Sequence, residues 1–380
     1  MARRGRRTRG GPNGLSLFAL ALTAVCLLLT WLVLPARAPD ASNSRHAEAS
    51  TRAAAARFDA SPPRRTLPTV DGREALRVHF YDVSQGLAAL VDLPDGRHIL
   101  VDTGDAPVRE GCGIDCGIAH RHLLAALTRD LAGAPIDVLW ITHQHSDHIG
   151  GARDVLAQFR VKEYVDNGRD GGKAEVSKTH DAARARGTLV DVVDPSRPWS
   201  EAQASAVAGD ARVTPVVPAA WPADCASDPN ECSLALRIDL GASSVLFTGD
   251  AERGEERSLA LPSSVTLLQV GHHGSETSTS EAFLARVAPR YAVISAGHPD
   301  VGMNHEYCLP RTSTLEKLSR TLGASGDKTL LGFDGVTSCR RSHGAGWVAV
   351  PVSDHLWATE RDGDVVLVTH GDGIFVREGT

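Results

Sequence analysis

From residue 76 onward the chain alternates short apolar runs with polar turns and longer amphipathic stretches, the pattern of strands and helices taking turns. Residues 76–82, 88–93 and 98–101 read as three strands joined through Ser84-Gln85-Gly86 and Pro94-Asp95-Gly96, a β-meander. A helix over 118–131 leads to Ile136-Asp137-Val138-Leu139-Trp140-Ile141, which is short and apolar and predicts a buried strand. Helices over 152–159 and 174–186 flank a strand at 161–165. Residues 233–238 and 244–248 predict a hairpin turning at Gly241. Strands at 266–270 and 289–295 enclose a helix at 281–287, and another helix follows at 312–322. This order describes one α/β (α+β) domain over residues 76–380, without internal repeats and with a Gly- and Ser-rich insertion near 308–350.

The first 75 residues follow a different pattern. Residues 15–34 are apolar and nearly uncharged, long enough to cross a bilayer core at about 1.5 Å of helix rise per residue. Arg3, Arg4, Arg6, Arg7 and Arg9 precede them, which predicts a cytoplasmic N-terminus and an exported body. Ala36-Arg37-Ala38 has the small-x-small form of a cleavage site, so residues 1–38 are either a signal peptide or a retained membrane anchor. Residues 39–75 are rich in Ala, Ser, Arg and Pro and read as a flexible linker. Residues 1–38 hold six arginines and no acid; removing those six charges from the net charge of −6 leaves −12 beyond Ala38. An acidic body argues against a broad, nonspecific grip on nucleic acid. Cys26 lies in the apolar run, and the other six cysteines would sit in an oxidising compartment. Pairing by proximity joins Cys112 to Cys116, Cys225 to Cys232 and Cys308 to Cys339.

The buried strand runs directly into His143-Gln144-His145-Ser146-Asp147-His148-Ile149-Gly150-Gly151. Imidazole is the commonest ligand for zinc-like ions, and so dense a cluster of ligand types has few structural uses. In extended backbone alternate side chains face one way. His143, His145 and Asp147 would then share one side, with the Gly150-Gly151 turn bringing His148 beside them, an arrangement suited to two neighbouring cations. The later strands end in Gly249-Asp250 and Gly271-His272-His273-Gly274. Asp102, closing the third strand, is expected to order the histidine loop by accepting hydrogen bonds.

H-x-H-x-D-H after an apolar strand resembles the signature of the metallo-β-lactamase superfamily. Val270-Gly271-His272-His273-Gly274-Ser275-Glu276-Thr277-Ser278-Thr279-Ser280 is similar to a motif of ComEC-type competence proteins, as is Tyr81-Asp82-Val83-Ser84-Gln85-Gly86-Leu87-Ala88 with Asp102-Thr103-Gly104. The resemblance implies a four-layer αββα sandwich and a centre for two divalent ions, zinc first and manganese second. His143 and His145 would hold one ion, Asp147, His148 and His272 the other, and Asp250 would bridge them. His273 is the alternative to His272 as ligand, or a catalytic residue that orients the substrate; Asp147 would also orient or deprotonate the nucleophile. Ser84 and Leu87 replace a glycine and an acid of those proteins. Leu309 takes a histidine position, with His305 as its substitute or as a surface residue. Asn230-Glu231-Cys232-Ser233 lacks the further histidine that many superfamily members add to the first ion. Residues 355–368 match the family's closing hairpin.

Two cations sharing a hydroxide would bring its pKa toward neutrality and stabilise the developing negative oxygens. The resemblance implies a phosphodiester substrate, DNA outside the cell, cleaved by a nuclease. An amide, ester or β-lactam hydrolase is the second reading, and an envelope binding protein with a vestigial site the third.

Overall fold

The opening meander forms as its turns dictate: β1 (Leu76–Phe80), β2 (Ala89–Asp92) and β3 (His98–Val101) pair antiparallel in succession. The structure, a computed structural model, describes residues 75–379 except 171–173, 201–202, 204–209, 262–263, 324–326, 336–338 and 340–345. Helix α1 (Asp115–Leu131) then crosses over and β4 (Ile136–Trp140) joins β3 in parallel. Every residue of β4 is buried, as a strand covered on both faces requires. After α2 (Ser146–Ile149) and α3 (Ala152–Gln158), β5 (Val161–Asp166) adds in parallel; α4 (Glu175–Ala185) leads to β6 (Leu189–Val192).

The second sheet begins with β7 (Arg212–Val216), β8 (Ala235–Leu240) and β9 (Ser243–Phe247), paired antiparallel, the β8–β9 turn falling at Gly241 as expected. Helix α5 (Arg253–Ser258) precedes β10 (Leu267–Gln269) and α6 (Glu281–Val287) precedes β11 (Tyr291–Ile294), both strands parallel to β9. Next come α7 (Asn304–Tyr307), α8 (Thr312–Leu322) and a ribbon of β12 (Thr329–Phe333) with β13 (Trp347–Pro351), much of it within the Gly- and Ser-rich stretch. The chain ends with β14 (Leu356–Ala358), α9 (Thr359–Asp362), β15 (Val365–Thr369) and β16 (Val376–Arg377).

Eight strands in the order β16-β15-β1-β2-β3-β4-β5-β6 make one sheet, and β14-β11-β10-β9-β8-β7 the other. On the first, Leu90, Leu100, Leu139 and Tyr164 pack with Leu123 and Leu127 of α1 and Val155 of α3. On the second, Leu246, Leu268 and Ala292 pack with Phe283 of α6 and Leu315 and Leu318 of α8. The sheets meet through Phe80 of β1 and Phe247 of β9, ring centroids 5.8 Å apart, and through Trp140, whose Nε1 donates to Leu234 O at 2.9 Å. The layers therefore run helix, sheet, sheet, helix, the expected αββα sandwich. Each large side chain so buried contributes about 1.5–3 kcal/mol.

Two expectations are corrected. Residues 355–368 are not a hairpin: β14 pairs with β11 and β15 with β1, so the chain passes from one sheet to the other through α9 and Gly363, at φ 65°. Nor is the histidine segment extended as far as Asp147, because α2 begins at Ser146 and the helical turn, continued through Gly150, carries both Asp147 and His148. All three disulfides join nearest neighbours, Cys112–Cys116, Cys225–Cys232 and Cys308–Cys339. Residues 1–74, with the apolar run, Cys26 and the linker, lie outside the described residues; among the described residues no helix is long and apolar enough to cross a membrane.

Candidate metal centre

Four strand ends converge on one rim. Asp102 follows β3, the histidine motif follows β4, Asp250 follows β9 and the His272-His273 pair follows β10. The carboxyl ends of parallel strands commonly build sites in this way, since the chain leaves the sheet there and is free to present side chains. Close backbone approach is what Gly249 provides: it sits at φ 54°, and a Cβ on it would lie 2.7 Å from Thr142 Cβ.

Four imidazole Nε2 atoms surround a single oxygen, Asp250 Oδ2: His148 at 3.2 Å, His273 at 3.4 Å, His272 at 3.8 Å and His143 at 4.0 Å. Each ring is held from its other nitrogen. His148 Nδ1 pairs with Asp102 Oδ2 at 2.7 Å, His273 Nδ1 with Ser295 O at 2.7 Å, His272 Nδ1 with Glu252 Oε1 at 3.1 Å and His143 Nδ1 with Thr142 Oγ1 at 3.2 Å. Such anchoring fixes the tautomer and turns the free Nε2 lone pair inward, the arrangement of metal-ligating histidines. His145 contributes Nδ1, 3.0 Å from His143 Nε2, and Asp147 Oδ2 lies 3.6 Å from His273 Nε2.

The donor set fits a bound cation. Asp250 Oδ1 is buried with no hydrogen-bond partner, and His148 and His273 face each other Nε2 to Nε2 at 3.2 Å. Ligand atoms of His143, His148 and Asp250, and of Asp147, His148 and His273, form two compact groups that share His148. Electrostatics agree. Burial opposes ionisation of Asp250, but His148, His273 and His272 outweigh it and hold the carboxyl well below the usual range. Burial likewise disfavours charge on His148, yet Asp250 and Asp102 push its pKa well above that of an ordinary histidine. Carboxylates that stabilise a proton on Nε2 would stabilise a metal cation in its place. His143 is driven well below the ordinary value by burial and then by His148, so it stays neutral and ready to ligate.

The structure thus brings all six expected ligands and His273 to one place, and it separates the two adjacent histidines. His273 is the one grouped with Asp147 and His148, whereas His272 stands near enough to His143 and His145 to disfavour charge on both. Consecutive left-handed backbone, φ 48° at His272 and 53° at His273, splays the two rings; residues other than glycine adopt it rarely. Asp102 accepts from Thr142 N at 2.8 Å and from Thr142 Oγ1 at 2.7 Å as well as pairing with His148, and so orders the loop as expected. Ser280 caps α6, accepting from Phe283 N at 3.2 Å. His305 bonds Gly302 O and pairs with Glu306 at 3.4 Å; it does not line the cleft, whereas Tyr307 and Leu309 do.

Sequence reasoning missed the support beneath Asp250. The segment that lacks a histidine supplies it: Ser233 Oγ accepts from Asp250 N at 3.1 Å, Glu255 accepts from Ser233 N at 2.9 Å, and Glu231 accepts from Gly254 N at 3.0 Å at the start of α5. A cleft of about 550 Å³ opens over the centre.

The profile of the metallo-beta-lactamase superfamily matches residues 81–216 and 226–298. "Recombination protein 2" of Haemophilus influenzae is 30% identical over 248 residues, 64% of this chain and 26% of that protein. "ComE operon protein 3" of Bacillus subtilis is 30% identical over 64% of this chain and 30% of its own length. "Competence protein ComA" of Neisseria gonorrhoeae is 30% identical over 58% of this chain and 27% of its own. The match thus covers between 26% and 30% of the length of these relatives.

Proposed function

The chain belongs to the metallo-β-lactamase superfamily, and from that premise we propose that it is a metal-dependent phosphodiesterase, a nuclease acting on DNA outside the cytoplasm. The ring of four Nε2 atoms around Asp250 Oδ2 carries the reading. One divalent ion, zinc or else manganese, would be held by His143 and His145, with His272 beside them; a second would be held by Asp147, His148 and His273, and Asp250, whose Oδ2 faces all four Nε2 atoms, could serve both. His273 thereby takes the ligand role expected of His272.

When bound, such ions supply an acidified water and positive charge opposite the scissile group. The chain's own residues orient the rest. Asp102, Ser295 O and Glu252 keep protons on the Nδ1 atoms of His148, His273 and His272, so that no Nε2 turns away. Asp147, whose carboxyl is buried but held below its usual pKa by His148 and His273, is ionised and able to accept a proton from the attacking water. The names of the relatives speak of recombination and competence, which supports DNA as the polymer. Three disulfides and the arginine-flanked apolar run support a body outside the cytoplasm, secreted or anchored through residues 15–34.

The acidic body favours a second reading, hydrolysis of an amide, ester or lactam. Assaying the purified full chain with zinc or manganese against DNA, a small phosphodiester and a chromogenic β-lactam separates the two. Cleavage of DNA and of the small phosphodiester is expected; turnover of the lactam alone would reverse the assignment.

A further inference from the structure

Gln85 and Arg109 are among the donor side chains that line the cleft with Asp147 without belonging to the ligand cluster. Gln85 is 2% exposed. Its Oε1 accepts from Gly297 N at 3.3 Å, while its Nε2 is buried with no hydrogen-bond partner. A buried donor left unmet carries an uncompensated desolvation cost, so this group is suited to an acceptor that enters the cleft. The loop that carries it is locked to the metal motif: Leu87 N donates to Asp147 O at 3.1 Å, and a Cβ on Gly86 would stand 2.6 Å from that oxygen.

Arg109 precedes the Cys112–Cys116 loop. Its Nη1 donates to Asp105 and its Nη2 to the Tyr307 hydroxyl, and its Cζ lies 5.7 Å from the Tyr307 ring centroid. Tyr307 adjoins Cys308, which is bonded to Cys339. A guanidinium carries five N–H donors in a planar fork, and these two bonds leave others for the cleft. Arg109 and Asp147 line the same cleft. Both donors are therefore pre-positioned, one by the metal motif and the other between two disulfide-stapled segments.

Resting on the hydrolase reading above and narrowing it, we propose that Gln85 Nε2 and the Arg109 guanidinium grip a non-bridging oxygen of the substrate's phosphate group and hold it on the Asp147 side of the centre. A guanidinium fork matches the geometry of a phosphate, and an amide N–H can donate to one of its oxygens. Gln85 and Arg109 thus form a specificity edge, separate from the ligands.

The test uses the purified full chain loaded with zinc, with the variants Gln85→Glu, Arg109→Ala and Arg109→Lys. Inorganic phosphate is titrated into each by calorimetry, metal content is measured on the same samples, and KM and kcat are read on a small phosphodiester. Metal content should be unchanged, and the Kd for phosphate should weaken about tenfold or more in Gln85→Glu and Arg109→Ala, with partial recovery in Arg109→Lys and an effect on KM larger than on kcat. An unchanged phosphate Kd with phosphodiester cleavage intact overturns this inference alone. Loss of metal in step with phosphate affinity also overturns it, by making the two residues structural props. A wild-type chain that binds no phosphate and cleaves only the lactam removes the phosphodiester reading and this subsite together.

Discussion

Asp102 shows how much one residue outside the ligand set can decide. It is fully buried, sits at φ 57°, and accepts three hydrogen bonds, from Thr142 N, Thr142 Oγ1 and His148 Nδ1. Asp102→Ala should leave the Nδ1 of His148 without its acceptor and lower metal affinity by about 10–100-fold, measured by equilibrium dialysis against zinc. Glu163 makes a different point, away from the centre. Burial, and less strongly Asp191, push its carboxyl up to about 7, against the hydrogen bond from Trp199 Nε1 at 3.2 Å. A carboxyl raised on folding binds its proton more tightly in the native state, so stability is full below the unfolded value near pH 4.3 and is lost as pH rises toward 7. Urea unfolding at several pH values should show the wild type losing about 2–3 kcal/mol across that window. Glu163→Gln, which keeps an acceptor for Trp199, should flatten the profile.

At the scale of elements, α2 is held to the loop after β3 with no space to spare. A Cβ on Gly150 would lie 2.2 Å from Ala106 N and 2.3 Å from Ser146 O. Gly150→Ala should push α2, with Asp147 and His148, off that loop, costing about 2–3 kcal/mol of stability and the second ion; thermal unfolding and metal analysis of the same sample check both. The strands that carry ligands were legible because a fully apolar run such as Ile136–Trp140 has a plain signature and its ligands follow at once. The placement of His272 and His273 was not, because adjacency says nothing about two successive left-handed residues that send neighbouring rings to different partners. β7 escaped notice for a reason its place explains: Pro215 marks it against a central strand, and it lies at the edge of its sheet, where proline is tolerated. The passage from β14 to β15 looked like a hairpin because two apolar runs flank a Gly-Asp turn, and only pairing with β11 and β1 tells the sheets apart.

For the molecule as a whole, the centre stands where the two sheets meet. His143, His145, Asp147 and His148 belong to the first sheet's rim, Asp250, His272 and His273 to the second's. Ions held between them would tie the layers as a disulfide ties two segments, and any ligand that binds only the folded chain stabilises it by mass action. Chelation should therefore lower the melting temperature, by an amount corresponding to about 4 kcal/mol if free metal had stood at a thousand times its Kd, and zinc or manganese added back should restore it. Asp250→Asn tests the carboxylate at the middle of the ring of imidazoles. With that acceptor weakened, the chelator should shift the melting temperature much less than in the wild type. An equal shift in both proteins would mean that the stabilising ion sits elsewhere and that the rim does not join the sheets.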